Sequence, residues 1–423
     1  RRPCRIEDGG RSRVVLMAPR ATFVIVGAGL AGSVAAETLR SEGFDGRIVL
    51  VGEEPHVPYS RPPLSKGLLR GEQAPDESRL RSTEWYDEHA IDLCLGVRAT
   101  EVDPAGKTVA LANGRLLRYD KALVTTGCVC RTLPVPGADL PGVLTLRTLD
   151  QALAIRQRSA DRGPVVIIGA GFIGSEVAAS ARTMGCEVTV LEVAPLPMGR
   201  VLGAEVGRIY AEVHRDHGVD LRTGVTVERI EGGSEVRRVV ATDGPAHEAA
   251  LVVMGVGVDP DVEPVLRGGV TIGNGIVVDE YCQTSARDLF AAGDIAYHPN
   301  PILGRTIRLE HWQNAQHQGA AAARNMLGAK KAFAEVPWFW SDQYDLSLQM
   351  AGLPEPGDTT VFRGDVDGGT FSAFYLRNGL LEAVVGVNRV LDVRMGRRLI
   401  GQRIAPTAGA LSDESVNLSD LAT

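Results

Sequence analysis

Twice in this chain an apolar run breaks into three glycines at one spacing and then into a helix-like stretch: FVIVGAGLAGSVAAE at 23–37 and VVIIGAGFIGSEVAA at 165–179. A β-branched run predicts a buried strand. The first glycine of G-x-G-x-x-G permits a tight turn, the second lets backbone approach a pyrophosphate, and the third lets helix pack on strand. A lone motif of this kind is weak evidence. Here the first copy has strand Thr22–Val26, then Gly27, Gly29 and Gly32, a helix to about Leu39, and a second strand RIVLVG closing at Glu53. The second has Gly169, Gly171 and Gly174, a helix to about Met184, and EVTVLE closing at Glu192. The acids follow their first glycines by 26 and 23 residues, and the two first glycines lie 142 residues apart amid unlike flanks. That separation predicts two copies of a nucleotide-binding domain and not a solenoid, whose repeats are shorter.

Composition sets the outer limits. At 423 residues the chain exceeds the size at which single cores split, so two or three domains are expected. Hydrophobic residues at 44% and charged residues at 23%, with no run of about 18 apolar residues, predict a globular, cytoplasmic protein without a membrane span. A net charge of −7 argues against nucleic acid as the main partner. The six cysteines (Cys4, Cys94, Cys128, Cys130, Cys186, Cys282) show neither zinc-ligand nor secreted-disulfide spacing, and are expected to be reduced. The eight histidines form no ligand cluster by spacing, LEHWQ is not HExxH, and no GxSxG turn occurs; no metal is expected. The Arg-rich opening stretch is a poor secretory signal, and residues 1–20 are read as a disordered extension outside the fold.

Two dinucleotide sites in one chain suggest that one dinucleotide reduces the other, the common pairing being a tightly held FAD and an exchangeable nicotinamide nucleotide. A carboxylate at the end of the second strand accepts both ribose hydroxyls and repels a 2′-phosphate, so Glu192 favours NADH over NADPH; the competing reading is a surface carboxylate after a strand.

GAGLAG, VGEEPHVPYSRPPLSK, LVTTG, GAGFIGSE, LFAAGDIA and VPWFWSDQYDLSLQMAGL together resemble the oxygenase-coupled, NADH-dependent ferredoxin reductases, from about residue 21 to the C-terminal region. Most of these motifs belong to the wider two-dinucleotide flavoprotein superfamily; PWFWSDQ is narrower and is shared with near relatives such as rubredoxin reductases. The resemblance implies an α/β fold: two Rossmann-like, glutathione-reductase-like dinucleotide-binding domains plus a C-terminal α+β domain. It implies a discontinuous FAD domain (21–130 and 256–329), an NAD domain (131–255) and a reductase domain (330–423). For FAD it implies Gly27, Gly29, Gly32 and Glu53 at the ADP half, with Arg61, Lys66, Thr126, Gly127, Arg131, Asp294, Glu310 and Trp312 alongside. For NADH it implies Gly169, Gly171, Gly174, Glu176, Glu192 and Gly257. Lys66 is placed by the resemblance near the flavin N5 edge and paired with Glu176, whereas a lysine after PPLS is ordinarily a solvated loop cation. Trp340 is placed close to the flavin; Trp338 is read as core. Asp294 resembles an acid bonded to the ribityl chain, while a Gly-Asp pair is otherwise a common turn cap.

How electrons leave is the remaining question. No CxxC or CxxxxC occurs, and Cys128-Val129-Cys130 is too close for an unstrained disulfide, so two tolerated small residues in a turn is the plain reading. Without a dithiol, electrons are expected to leave FAD directly, and the resemblance implies that they pass one at a time to a [2Fe-2S] ferredoxin serving a cytochrome P450 or a Rieske oxygenase. Acidic ferredoxins need a basic landing face, and Arg389, Arg394, Arg397, Arg398 and Arg403, with Arg308, are the docking candidates, against the reading of a solvated charge run. The alternatives are a rubredoxin reductase, an NADH oxidase or diaphorase, and an NADH-sensing flavoprotein resembling apoptosis-inducing factor.

Overall fold

A computed structural model of the chain describes residues 20–422. The reading of the N-terminal extension, Cys4 included, falls on residues 1–19, outside the described residues. Strand Thr22–Val26 sits at the centre of a five-stranded parallel sheet in the order Leu289–Ala291, Lys121–Val124, Thr22–Val26, Arg47–Val51, Ile91–Cys94. Strand Val165–Ile168 is the centre of a second, in the order Asp220–Thr223, Val188–Glu192, Val165–Ile168, Leu251–Met254, Val143–Thr145. All four residues of Val165–Ile168 are buried, because helices and inserted strands cover both faces.

The duplication extends beyond the glycine motifs. Between its third strand and Lys121–Val124 the first unit inserts an antiparallel trio, Ala99–Asp103, Thr108–Leu111 and Leu116–Arg118; the second inserts Val227–Gly232, Val236–Ala241 and Ala246–Glu248 at the equivalent point. The chain crosses between the units twice. Those crossings pair as an antiparallel ribbon, Cys128–Cys130 against Val258–Pro260.

The third body is a five-stranded antiparallel sheet, ordered Trp338–Gln343, Leu346–Gly352, Leu380–Val387, Thr370–Arg377, Thr359–Asp365. One face packs Phe339, Leu348, Met350 and Phe371 onto Met198, Leu202, Val206 and Tyr210 of helix Gly199–Asp216 in the second unit. The other face is covered by helix Val390–Gly401 through Val393, Leu399 and Ile400, and Trp338 joins that cluster. Side chains alternate along a strand. Trp338 and Trp340 therefore share the face of this helix, while Phe339, Ser341 and Gln343 point at the second unit. The expected architecture, two dinucleotide-binding sheets and a C-terminal α+β domain, is the one observed. Among the described residues no helix is long and apolar enough to cross a membrane.

Candidate functional site

Both glycine turns lie at the C-terminal ends of their sheets and have one geometry. Gly27 and Gly169 sit at φ +118° and +98°, in left-handed space, with the backbone that follows the neighbouring strand of the same sheet too near for a side chain: added Cβ atoms would stand 2.2 Å from Thr125 O and 2.5 Å from Gly255 O. At Gly32 and Gly174 a Cβ would lie 2.0 Å from the carbonyl of the first glycine, so only glycine lets the helix come this close to its strand. At Gly29 and Gly171 a Cβ meets nothing within 4 Å. These two are also the N-caps of helices Leu30–Ser41 and Phe172–Thr183, and neither helix start has a side-chain cap. Open space in front of uncapped N–H groups at a positive helix end suits a phosphate, so both turns fit a dinucleotide.

The acids differ. Glu192 accepts hydrogen bonds from Ala170 N at 2.5 Å and Ala194 N at 2.7 Å, which ties its carboxylate to the second glycine turn. Glu53 is exposed and ion-paired with Arg98 at 2.8 Å; Arg98 also reaches Asp261 and Glu263.

A charged contact joins the two units. Lys66 separates the short 3-10 turn Pro62–Ser65 from helix Gly67–Arg70, and Ser180 Oγ, on helix Phe172–Thr183, donates to Ser65 O at 2.6 Å, fixing the loop to the second unit. The Lys66 ammonium stands 2.7 Å from Glu176 Oε2, with side chains 15% and 4% exposed. Ser65 Oγ donates to the same oxygen at 2.5 Å and Ser341 Oγ to Glu176 Oε1 at 2.7 Å. A pair this buried costs desolvation energy to assemble and persists where its lone pairs are filled, as here.

Lys66 lines a cleft of about 450 Å³ with Ser60, Pro62, Pro63, Gly67, Gln73, Trp312 and Trp340. Trp312 Nε1 donates to Ser60 Oγ at 3.2 Å and its ring meets Trp340 edge-on at 6.0 Å; Trp338 stacks behind Trp340 at 5.4 Å. Lys66, Glu176, Trp312 and Trp340 thus come from three bodies of the fold to one place.

Asp294 is not a turn cap. Its carboxylate pairs with Arg147 at 3.0 Å, its carbonyl accepts from Arg308 at 3.1 Å, and Arg147 also stands 3.1 Å from where a Gly127 Cβ would be. Arg147 lies in an unremarkable stretch, LRTLD, and no pattern there marks it. Arg61 braces its own loop, pairing with Glu54 at 2.8 Å and donating to Arg147 O. Thr126 Oγ1 donates to Asp261 O at 2.8 Å, and Arg131 pairs with Asp259 at 2.6 Å beside Gly257 on the crossing ribbon. His311 Nδ1 and Gln318 Nε2, next to Trp312 and Gly293, are buried with no hydrogen-bond partner among the described residues, polar atoms suited to a bound cofactor. Spacing alone did not single them out.

The five described cysteines are free, and burial pushes the Cys128 thiol up to about 12. On the arginine run, Arg389 pairs with Asp392 and Glu414, Arg397 with Glu335 and Arg403 with Glu382, whereas Arg394 and Arg398 are exposed on helix Val390–Gly401 next to Val390 and the 72% exposed Leu391. Arg308 is turned inward against Asn274, Cys128 and the Asp294 carbonyl, 10% exposed and 2.8 Å from Glu310, so it is not an open landing cation. Among the described residues no group of acids, histidines and cysteines could hold a metal ion.

Comparison with known proteins matches residues 21–319 to the pyridine nucleotide-disulphide oxidoreductase model and residues 338–422 to the reductase C-terminal model. The anthranilate 1,2-dioxygenase system ferredoxin–NAD(+) reductase component of Burkholderia cepacia is 41% identical, covering 94% of this chain and 98% of that protein. The crystal structure of the ferredoxin reductase for the CYP199A2 system of Rhodopseudomonas palustris superposes with a TM-score of 0.92 at 39% identity, covering 95% and 100% of the two chains. The reductase in the covalent putidaredoxin reductase–putidaredoxin complex does so with a TM-score of 0.92 at 36% identity, covering 95% and 98%.

Proposed function

Because this chain belongs to the pyridine nucleotide-disulphide oxidoreductase family and ends in a reductase C-terminal domain, we propose that it is the NADH-dependent, FAD-containing ferredoxin reductase of an oxygenase system. Relatives named as ferredoxin reductases of dioxygenase and P450-type systems match along nearly their whole length. The observation that carries the reading is two uncapped glycine turns in one chain together with the buried Lys66–Glu176 pair that joins their two units, with no redox dithiol among the described residues. We assign the turn at Gly27, Gly29 and Gly32 to FAD, and the turn at Gly169, Gly171 and Gly174 to NADH.

When bound, FAD supplies the ability to accept a hydride from NADH and release electrons singly. The chain's residues position and protect. The helix start after Gly29 holds one pyrophosphate and that after Gly171 the other. Glu192, already fixed by two backbone N–H groups, offers its remaining lone pairs to a ribose and its charge against a 2′-phosphate. Lys66 keeps a positive charge at the wall of the cleft where negative charge arrives, and Glu176 fixes its direction. Trp312 and Trp340 exclude water from that wall. Arg394 and Arg398 supply the cationic face for an acidic [2Fe-2S] ferredoxin, on the same side of the C-terminal sheet as Trp340. A cytoplasmic location accords with a supply of NADH and with free cysteines.

The test is NADH-driven reduction of cytochrome c by the purified flavoprotein, with and without a [2Fe-2S] ferredoxin. Strong ferredoxin dependence and a preference for NADH over NADPH are expected. Rapid oxygen consumption with no ferredoxin effect would make it an oxidase, and slow reaction with every acceptor would make it a sensing flavoprotein.

A further inference from the structure

Behind Glu176, on the side away from Lys66, a line of polar side chains runs through an otherwise apolar interface. Ser341 Oγ is 2.7 Å from Glu176 Oε1, and Gln343 Nε2 is 3.2 Å from Ser341 Oγ and 3.6 Å from Met198 Sδ. Gln343 Oε1 is 3.0 Å from His214 Nε2, and His214 Nδ1 is 3.0 Å from the Tyr344 hydroxyl. Ser341, Gln343 and His214 are each no more than 2% exposed, yet every one of them is engaged. The surroundings are the apolar contact between helix Gly199–Asp216 and the C-terminal sheet. Buried polar groups in such a seam are costly, so their presence calls for a reason beyond adhesion.

Donor and acceptor identities leave this line only one direction. A carboxylate paired with an ammonium accepts, so the single Ser341 proton goes to Glu176. Ser341 Oγ can then only accept from Gln343, which must turn its amide nitrogen that way and its carbonyl toward His214. His214 must donate from Nε2, which leaves Nδ1 bare to accept from Tyr344. Burial holds the His214 imidazole down to about 4, so it is neutral at physiological pH, as a ring with one donor and one acceptor requires. Every proton in the line points toward Glu176, and with Ser65 and Lys66 the two carboxylate oxygens receive three donors.

We propose that Ser341, Gln343 and His214 are positioning residues: a one-way chain of hydrogen bonds through which the C-terminal domain holds the Glu176 carboxylate aimed at Lys66, and so sets the rate of hydride transfer from NADH. This rests on the function proposed above. It assigns the C-terminal domain a part in the reductive half of the reaction besides the docking surface on its other face. The chain is built across bodies: Glu176 and His214 belong to the second sheet's helices, and Ser341 and Gln343 to the edge strand Trp338–Gln343.

Two half-reactions of the FAD-loaded enzyme separate this role from plain packing. Anaerobic stopped-flow mixing with NADH reads hydride transfer; mixing dithionite-reduced enzyme with ferredoxin reads electron exit. Ser341→Ala removes the donor to Glu176, and Gln343→Glu, nearly isosteric, draws the Ser341 proton the wrong way. Both are expected to lower the limiting rate of reduction by NADH about tenfold, the scale of a hydrogen bond to a charged group, with electron exit unchanged. His214→Gln, which keeps a donor near Nε2, is expected to stay near the wild-type rate where His214→Leu does not. An unchanged NADH limiting rate in folded, FAD-loaded Ser341→Ala, or equal losses in both half-reactions, would overturn the proposal. A second readout needs no turnover: in ¹⁵N-histidine spectra of the holoprotein, His214 is expected as the Nε2–H tautomer, with a shift that moves in Lys66→Met. An Nδ1–H tautomer, or a His214 signal indifferent to Lys66, would equally overturn it. If the wild-type flavin were not reduced by NADH at all, the proposed function would fall, while the spectra would still decide whether the chain exists.

Discussion

At the residue scale the site rests on a few side chains whose surroundings decide their chemistry. Lys66 is an ordinary loop lysine by sequence and a nearly buried partner of Glu176 by structure. Replacing it with Met is expected to slow flavin reduction by NADH about 100-fold, as loss of one preorganised charge-stabilising donor does, while FAD stays bound; rapid-mixing absorbance and the flavin-to-protein ratio check both halves. Cys128 and Cys130 look equivalent in the chain and are not equivalent in space. The Cys128 thiol, raised to about 12 by burial with a smaller contribution from Asp294, stays protonated at pH 8, so iodoacetamide is expected to label Cys130 ahead of Cys128 in the folded protein. Peptide mass spectrometry reads the order. Sequence reasoning drew attention to Lys66, Glu176 and Trp340 because a motif carried them. It passed over Arg147 and His214, whose partners are far away along the chain and whose neighbours in sequence carry no signal, and it gave no role to Ser341 and Gln343, although both stand in the motif that carries Trp340.

At the scale of elements, the two strand-turn-helix units make their glycines unequal. Gly174→Ala would place a Cβ 2.0 Å from Gly169 O, where neither backbone can yield, and is expected to destabilise the second unit by about 1–3 kcal/mol. Gly171→Ala meets open space in the protein, so it is expected to leave thermal stability near wild type and, on the NADH assignment proposed for this turn, to raise the KM for NADH severalfold by intruding on the space for its pyrophosphate. Melting curves beside NADH titrations distinguish the two. Helix Val390–Gly401 gives the next prediction. Arg394→Glu with Arg398→Glu is expected to raise the KM for ferredoxin severalfold at low salt and to leave the rate of flavin reduction by NADH alone, with the difference shrinking as salt rises. The strands and helices of the two units were legible because their apolar runs and glycine spacing are local. The C-terminal hairpin's facing was not: the alternation that sends Trp340 to the cleft and Ser341 to Glu176 is set by strand register, and one residue of slip would exchange them.

Across the whole molecule, three buried histidines impose a common acid limit. His214, His298 and His311 are each lowered by burial from 6.5 to about 4. Unfolded, these rings take up protons below about 6.5; folded, they stay neutral to about 4, so between those values the unfolded chain binds more protons. Their contribution to stability is complete above about pH 6.5 and is lost as pH falls toward 4, and melting temperatures are expected to drop across that window. Replacing the buried His298 with Leu is expected to flatten the drop. A drop that His298→Leu leaves equally steep would exclude that ring as a source. The chain's own order of residues determined that there would be two glycine-turn sheets and a third body, because buried strands, glycine turns and strand-ending acids are written in short local patterns. Only the tertiary structure decided which loop lysine meets which helix carboxylate, which tryptophan walls the cleft and which arginines stay open, because burial and partnership belong to side chains brought together from distant parts of the chain.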